Sequence, residues 1–317
     1  MKNIKVNQLG AVTTINFDDV KSGWEQWLLF QSDIHWDSKY CNRKLLTRHL
    51  DEAIKRNAMI FMFGDVFDAM NGRYDNRRSY DEIRPEFLHD NYYDLIVEHS
   101  TEYYKRYAGN IGLMSRGNHE MSVIKYANTD LLDRLVGRLN TNNNTNIVRG
   151  GYGGWIKFLF KINKTKGFSL NLKYFHGAGA EAPVTRGVIW TNRQSVYLPD
   201  ADFVINGHNH HEYHVSISRE RINDRGNLYF DIQHHIRIPG YKQSYGDGTS
   251  GWDVSRGGVP KPIGSVWCKL YKVEDHVEAQ IIPDVTGADP ISVNDGYEYQ
   301  GRSSNRFDDE MNEPSQD

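Results

Sequence analysis

The stretch Met59-Ile60-Phe61-Met62-Phe63-Gly64-Asp65-Val66-Phe67-Asp68 opens as five consecutive apolar residues and closes on a glycine and two carboxylates. A short apolar run of this kind reads as a strand covered on both faces, and open α/β sheets assemble their sites at the carboxyl ends of such strands. Four other runs are read the same way: 28–30 before Asp33 and His35, 113–114 before Asn118, 172–175 (interrupted by Lys173) before His176, and 203–205 before His208 and His210. Strands that repeatedly end in metal-ligating residue types point to a single polynuclear metal centre.

Helical patterns fill the gaps between these runs. Residues 43–56 put Leu45, Leu46, His49, Leu50, Ala53 and Ile54 on one face, and 85–107 and 121–139 read the same way. Strand, helix, strand, helix, strand through residue 118 is βαβ logic, which implies a parallel sheet with helices packed outside it. Beyond that point the pattern changes to strands joined by short turns, at 155–162, 169–176, 212–217, 228–232, 264–271 and 277–282. A mixed β-sandwich flanked by helices accommodates both halves, so the expected fold is α/β, a four-layer α/β/β/α sandwich of mixed sheets.

Three segments break the pattern. Residues 140–146 (NTNNNTN) read as a polar loop tip, 240–262 is rich in Gly with interspersed Tyr and Trp, and the tail after about 287 has too few apolar residues to pack. The expected organisation is one domain over 1–286 followed by an acidic tail over 287–317.

A chain of 317 residues can bury a large core without disulfides or oligomerisation. Its two cysteines, Cys41 and Cys268, lack the CxxC spacing of a zinc or redox site and fit a reducing cytosol. Residues 1–19 lack the basic-then-apolar order of a secretory signal, and no apolar stretch is long enough to cross a bilayer. A cytoplasmic protein with no membrane partner is therefore expected. The formal net charge is −3, but the tail holds 8 acidic and 2 basic residues, which leaves 36 basic against 33 acidic in the body. That balance argues neither for nor against nucleic acid.

In chain order the constellation is Asp33-Ile34-His35, Gly64-Asp65-Val66-Phe67-Asp68, Gly117-Asn118-His119-Glu120, His176-Gly177 and Gly207-His208-Asn209-His210. This order and these residue types resemble the calcineurin-like metallophosphoesterase superfamily, with the similarity running from about residue 27 to 211. Each piece alone is common; five in order at strand ends are specific. The resemblance implies a metallophosphoesterase-type sandwich, with Asp65 bridging two ions, Asp33, His35 and His210 on the first, and Asn118, His176 and His208 on the second. It also implies that His119 is the general acid and that Asp68 is the carboxylate orienting it.

The chemistry of the donors stands beside that resemblance. Carboxylate and imidazole ligands suit borderline divalent or trivalent ions, and the absence of thiolates argues against a structural zinc site. Two ions per chain are expected, Mn first, with Fe, Zn or Ni as the other candidates. Such a pair binds phosphoryl oxygens and lowers the pKa of a bridging water so that hydroxide exists near neutral pH. The leaving alkoxide then needs a proton, which is the task of His119. Glycines at 64, 117 and 207 let the chain turn where strand becomes loop. Arg116 and Glu120 are read as a structural ion pair and a helix cap.

The resemblance implies phosphoester hydrolysis but spans phosphatases, phosphodiesterases and nucleases. Protein phosphatases of the superfamily carry arginine directly after GDxxD, where this chain has Ala69. The GDxFD form is that of the Mre11/SbcD-like nucleases, and 251–260 with 262–264 is similar to C-terminal segments of uncharacterised phage and bacterial phosphoesterases. The expected function is therefore a dinuclear phosphodiesterase or nuclease acting on nucleotide or nucleic-acid diesters, with a phosphomonoesterase as the alternative and a non-catalytic scaffold third. Candidate substrate contacts are Arg77 and Arg78, in the irregular stretch after the GDxFD run, and Trp252, which with Tyr241 and Tyr245 could stack on bases.

Overall fold

The computed structural model describes residues 4–70, 79–179, 184, 185, 187–245 and 252–286. The acidic tail, Arg77 and Arg78 lie outside the described residues. In chain order the elements are β1 (Ile4–Leu9), β2 (Val12–Phe17), β3 (Glu25–Gln31), α1 (Arg43–Lys55), β4 (Met59–Phe63), α2 (Tyr92–Tyr104), β5 (Ile111–Ser115), α3 (Asn118–Ala127) and α4 (Leu131–Asn143). They continue with β6 (Val148–Gly150), β7 (Gly153–Lys161), β8 (Gly167–Phe175), α5 (Val188–Tyr197), β9 (Phe203–Asn206), β10 (Tyr213–Ile222), β11 (Leu228–Arg237), α6 (Trp252–Ser255), β12 (Ile263–Val273) and β13 (His276–Thr286).

Two mixed sheets result. One runs β13-β12-β3-β4-β5-β6, the other β1-β2-β7-β8-β9-β11-β10. Strands β3, β4, β5 and β6 are mutually parallel, as the βαβ pattern requires, while β12 joins β3 antiparallel. Strand β4 is buried along its whole length, and its period-2 geometry explains why it carries no polar residue. Met59, Phe61 and Phe63 pack into the core between the sheets, where they meet Phe158, Leu172, Tyr174 and Ile205, while Ile60 and Met62 pack into the core that holds Leu46 and Leu50 of α1 and Leu135 of α4. Fully burying one such side chain is worth about 1.5–3 kcal/mol. The outer face of the second sheet is covered near Val204 and Trp155 by Leu198 and Ala201, which follow α5.

Helix α1 starts where Asn42 caps it, its side chain accepting from Leu45 N at 3.0 Å. It buries the expected face except for Ile54, which is exposed. The helix expected over 121–139 is two helices. Asn128 adopts a left-handed conformation (φ 51°) that ends α3, and Asp130 starts α4 by accepting from Asp133 N at 3.0 Å. The polar stretch 140–146 is helical as far as Asn143, with Asn144 as the left-handed cap. The pattern at 85–107 becomes α-helical only at Tyr92–Tyr104, with single 3₁₀ turns at Pro85–Phe87 and Lys105–Tyr107. The N-terminal hairpin β1–β2 carries no long apolar run, yet Ile15 and Phe17 enter the inter-sheet core and β2 pairs in parallel with β7. Among the described residues no helix is long and apolar enough to cross a membrane.

Candidate metal centre

The carboxyl ends of β3, β4 and β5 in one sheet meet those of β8 and β9 in the other. The pairing continues past the strands: Asp33 N donates to Gly64 O (3.0 Å), His35 N to Asp65 O (3.0 Å) and Gly207 N to His176 O (2.8 Å). Asp33, His35, Asp65, His208 and His210 all have φ between 49° and 74°. Left-handed backbone at non-glycine residues costs free energy and clusters at functional sites. Of the three glycines expected to provide turns, only Gly64 has a positive φ (95°). At Gly207 the requirement is close approach, since a Cβ would lie 2.0 Å from Ser32 Oγ and 2.6 Å from Asp33 Oδ2.

All seven sequence-predicted ligands converge. Asp33, His35 and His210 offer atoms within 4.8 Å of one another, as do Asp65, His176 and His208. Asp65 Oδ2 joins the two groups, 3.1 Å from His176 Nε2 and 4.0 Å from His35 Nε2. Asn118 Oδ1 faces His176 Nε2 at 3.1 Å and His208 Nδ1 at 2.7 Å. A further group, His35, Asp65 and His119, spans the junction.

These donors fit a cation. Asp33 Oδ1 is wholly buried without a hydrogen-bond partner, 3.4 Å from His210 Nε2, and the Nε2 atoms of His35 and His210 face each other at 3.3 Å. His176 Nδ1 faces the Phe63 carbonyl at 2.9 Å; a carbonyl only accepts, so Nδ1 carries a proton and Nε2 is the nitrogen that faces the other donors. Burial pushes His35 down to about 4 despite Asp68, leaving a neutral imidazole, as a ligand must be. Burial would also lower His176, but Asp65 and Asp33 outweigh it and raise it to about 10; the carboxylate field that holds a proton there would equally hold a metal ion. For Asp33, burial opposes ionisation, yet His210 and His176 bring its pKa below the usual carboxylate range. Buried His and Asp clusters of this kind could therefore bind a metal ion.

The expected His119–Asp68 pairing takes a different form. His119 Nδ1 donates to the Asp68 backbone carbonyl, while the Asp68 carboxylate is 3.8 Å away. That carboxylate instead lies 2.7 Å from His35 Nδ1 and 2.9 Å from Lys242 Nζ. Lys242 sits in an irregular segment with no periodicity to announce it. Two other buried acids do backbone work. Asp37 accepts from Asp68 N (2.6 Å) and Ala69 N (2.9 Å). Glu120 accepts from Gly117 N (2.8 Å), Asp65 N (3.1 Å) and Phe67 N (2.9 Å), so it caps α3 as expected and also ties down the GDxFD loop. Arg116 is ion-paired with Asp130 at 2.6 Å.

Of the substrate-contact candidates, Arg77, Arg78 and the Trp252 side chain lie outside the described residues. Tyr241 cannot stack on a base: it is wholly buried, with its hydroxyl 2.7 Å from Gln31 Nε2 and 2.8 Å from His49 Nδ1.

No protein-family model matches the sequence, and no curated protein does. Among solved structures, the chain is similar to a conserved uncharacterised protein from Streptococcus pneumoniae, described as a predicted phosphoesterase, at 9% identity and a TM-score of 0.29, covering 82% of this chain and 100% of that one. It is also similar to GAP50, the anchor in the inner membrane complex of Plasmodium, at 11% identity and a TM-score of 0.36, covering 89% and 98%. At these scores neither likeness bears on the chemistry of this chain.

Proposed function

We propose that this protein is a dinuclear-metal-dependent phosphoester hydrolase of the calcineurin-like type, a four-layer α/β/β/α sandwich over residues 1–286 with an acidic tail appended, and that it acts on phosphodiesters of nucleotides or nucleic acids. The observation that carries the reading is the junction at Asp65, one carboxylate within 4.0 Å of a histidine from each of two separate ligand groups. Asp33, His35 and His210 would hold one ion, Asn118, His176 and His208 the other, and Asp65 both. Ions bound there supply Lewis-acid activation of a phosphoryl oxygen and acidify water to near neutrality.

The chain's own residues supply the rest. His119 is fixed by its Nδ1 bond to the Asp68 carbonyl, which leaves Nε2, 3.8 Å from Asp65 Oδ2, to deliver a proton to the leaving oxygen. Ala69 supports the diester preference: it is buried, and its N–H is spent on Asp37 Oδ2 at 2.9 Å, so no guanidinium enters from the position after GDxFD. A monoester dianion gains from such a clamp, whereas a diester carries one charge and needs it less.

The test is a comparison of kcat/KM for Mn²⁺-loaded protein on bis-p-nitrophenyl phosphate, p-nitrophenyl phosphate and single-stranded DNA. The diesters should be hydrolysed better. A higher value on the monoester would make phosphomonoesterase the better reading, and no hydrolysis of any of the three would favour a scaffold.

A further inference from the structure

Residues 240–243 form a buried strap against 33–42. Tyr241 N donates to Asp33 O (2.9 Å), Asn42 N to Tyr241 O (2.9 Å) and Gln243 N to Tyr40 O (2.9 Å), with a bridge between Cys41 and Lys242. The strap delivers one cation. Lys242 is 9% exposed, and its Nζ lies 2.9 Å from Asp68 Oδ1 and 2.6 Å from Glu82 Oε2. A buried ammonium is costly unless it is paired, and the two carboxylates offset that cost.

Its placement matters because of what else Asp68 Oδ1 touches. The same oxygen lies 2.7 Å from His35 Nδ1. The approach is off the hydrogen-bond line, since His35 Nδ1 has no hydrogen-bond partner, but a carboxylate oxygen this close favours the proton on Nδ1 electrostatically and so leaves Nε2, which faces His210 Nε2 at 3.3 Å, as the ligating nitrogen. Asp68 Oδ2 is buried with no hydrogen-bond partner, so the carboxylate's orientation is set through Oδ1. Lys242 is the group that donates a hydrogen bond to Oδ1, at 2.9 Å.

We propose that Lys242 is a positioning residue for the metal centre: by anchoring the Asp68 carboxylate against His35 Nδ1, it fixes the tautomer and direction in which His35 ligates. The proposal rests on the metal-centre reading above, and not on which ester is hydrolysed. Removal of a group that orients a ligating histidine typically costs roughly 10–100-fold in metal affinity.

The experiment is a competition titration of the metal-free full chain with Mn²⁺ and an indicator chelator, on wild type, Lys242→Met, Asp68→Asn and the double variant, with far-UV circular dichroism and Tm recorded for each. Lys242→Met should weaken the more tightly affected Mn²⁺ site by about 10-fold or more. The double variant should lose no more than the worse single one, because both substitutions break one linkage. A lysine that merely stabilises the fold would give additive losses, and that result, or unchanged Mn²⁺ affinity in folded Lys242→Met, overturns the proposal. Should Lys242→Met fail to fold, Glu82→Gln removes one of the ammonium's two anchors; a several-fold loss of Mn²⁺ affinity supports the proposal, and no change overturns it. Wild type that binds Mn²⁺ but hydrolyses no phosphoester refutes the proposed function and leaves this inference standing, while wild type that binds none of Mn²⁺, Fe²⁺, Zn²⁺ and Ni²⁺ refutes both.

Discussion

His119 Nδ1 donates to the backbone carbonyl of Asp68, whose carboxylate stands 3.8 Å from that nitrogen and 2.7 Å from His35 Nδ1. One residue thus meets two imidazoles through two different groups, and substitution of its side chain leaves in place the carbonyl that holds His119.

The consequence separates two variants. His119→Ala should lose about 10²–10⁴-fold in turnover on esters with alkoxide leaving groups and much less on nitrophenyl esters, since nitrophenolate departs without a proton. Asp68→Asn keeps the carbonyl that holds His119, so its dependence on leaving-group pKa should match wild type. Rates measured across a series of diesters with graded leaving groups check both, and an Asp68→Asn slope like that of His119→Ala would contradict the geometry.

Gly64 should resist substitution. With φ 95° and a Cβ position 2.4 Å from His176 Nδ1 and 2.9 Å from Gly117 Cα, Gly64→Ala combines backbone strain with a collision against a histidine of the candidate metal centre. A loss of about 1–3 kcal/mol in urea unfolding is expected, together with weaker Mn²⁺ binding. Gly10→Ala, at φ 59° with nothing within 4 Å, should show only the backbone cost of about 1–2 kcal/mol and normal Mn²⁺ binding. Equal Mn²⁺ binding by both variants would sink this prediction.

Much of the sheet that carries the site is legible from sequence because β4 is buried on both faces, so its run is continuous, and because Gly64 and Asp65 follow it at once. The candidate ligand residues are readable for the same reason, each lying within a few positions of a strand end. Lys242 is not readable. It belongs to no periodic element, and its partner Asp68 is 174 residues away, so only tertiary structure joins them. The division of Asp68 between carbonyl and carboxylate is a matter of rotamer and loop path, which residue identity does not encode. The break between α3 and α4 hides because 121–139 keeps an apolar helical spacing through Asn128, and the left-handed turn there is a local backbone choice.

Asp284 predicts a pH dependence of stability. A hydrogen bond from His49 leads in lowering its carboxyl, against partial burial, with Trp267 and Arg48 assisting, down to about 2. A depressed carboxyl contributes stability above its unfolded pKa near 4 and loses it as pH falls through the folded value. Wild type should therefore exceed Asp284→Asn by on the order of 1 kcal/mol near pH 6, after allowing for solvent screening of a partly exposed group, and the gap should close between pH 4 and 2. Urea unfolding at pH 6 and pH 2.5 measures it; a gap independent of pH would contradict the assignment.

Asp65→Asn should lower the affinity of both metal positions at once, since the carboxylate that offsets repulsion between two cations is gone. Elemental analysis after dialysis should find metal content reduced well below that of wild type, and nearly all hydrolysis lost. A variant that keeps both ions would remove Asp65 from the bridging role.

The most direct measurement is anomalous diffraction at the manganese edge from crystals of the wild-type chain grown with Mn²⁺. Two peaks per chain are predicted, one beside Asp33, His35 and His210, the other beside Asn118, His176 and His208, with Asp65 between them. A single peak in a fully active preparation, or manganese bound away from Asp65, would contradict the account.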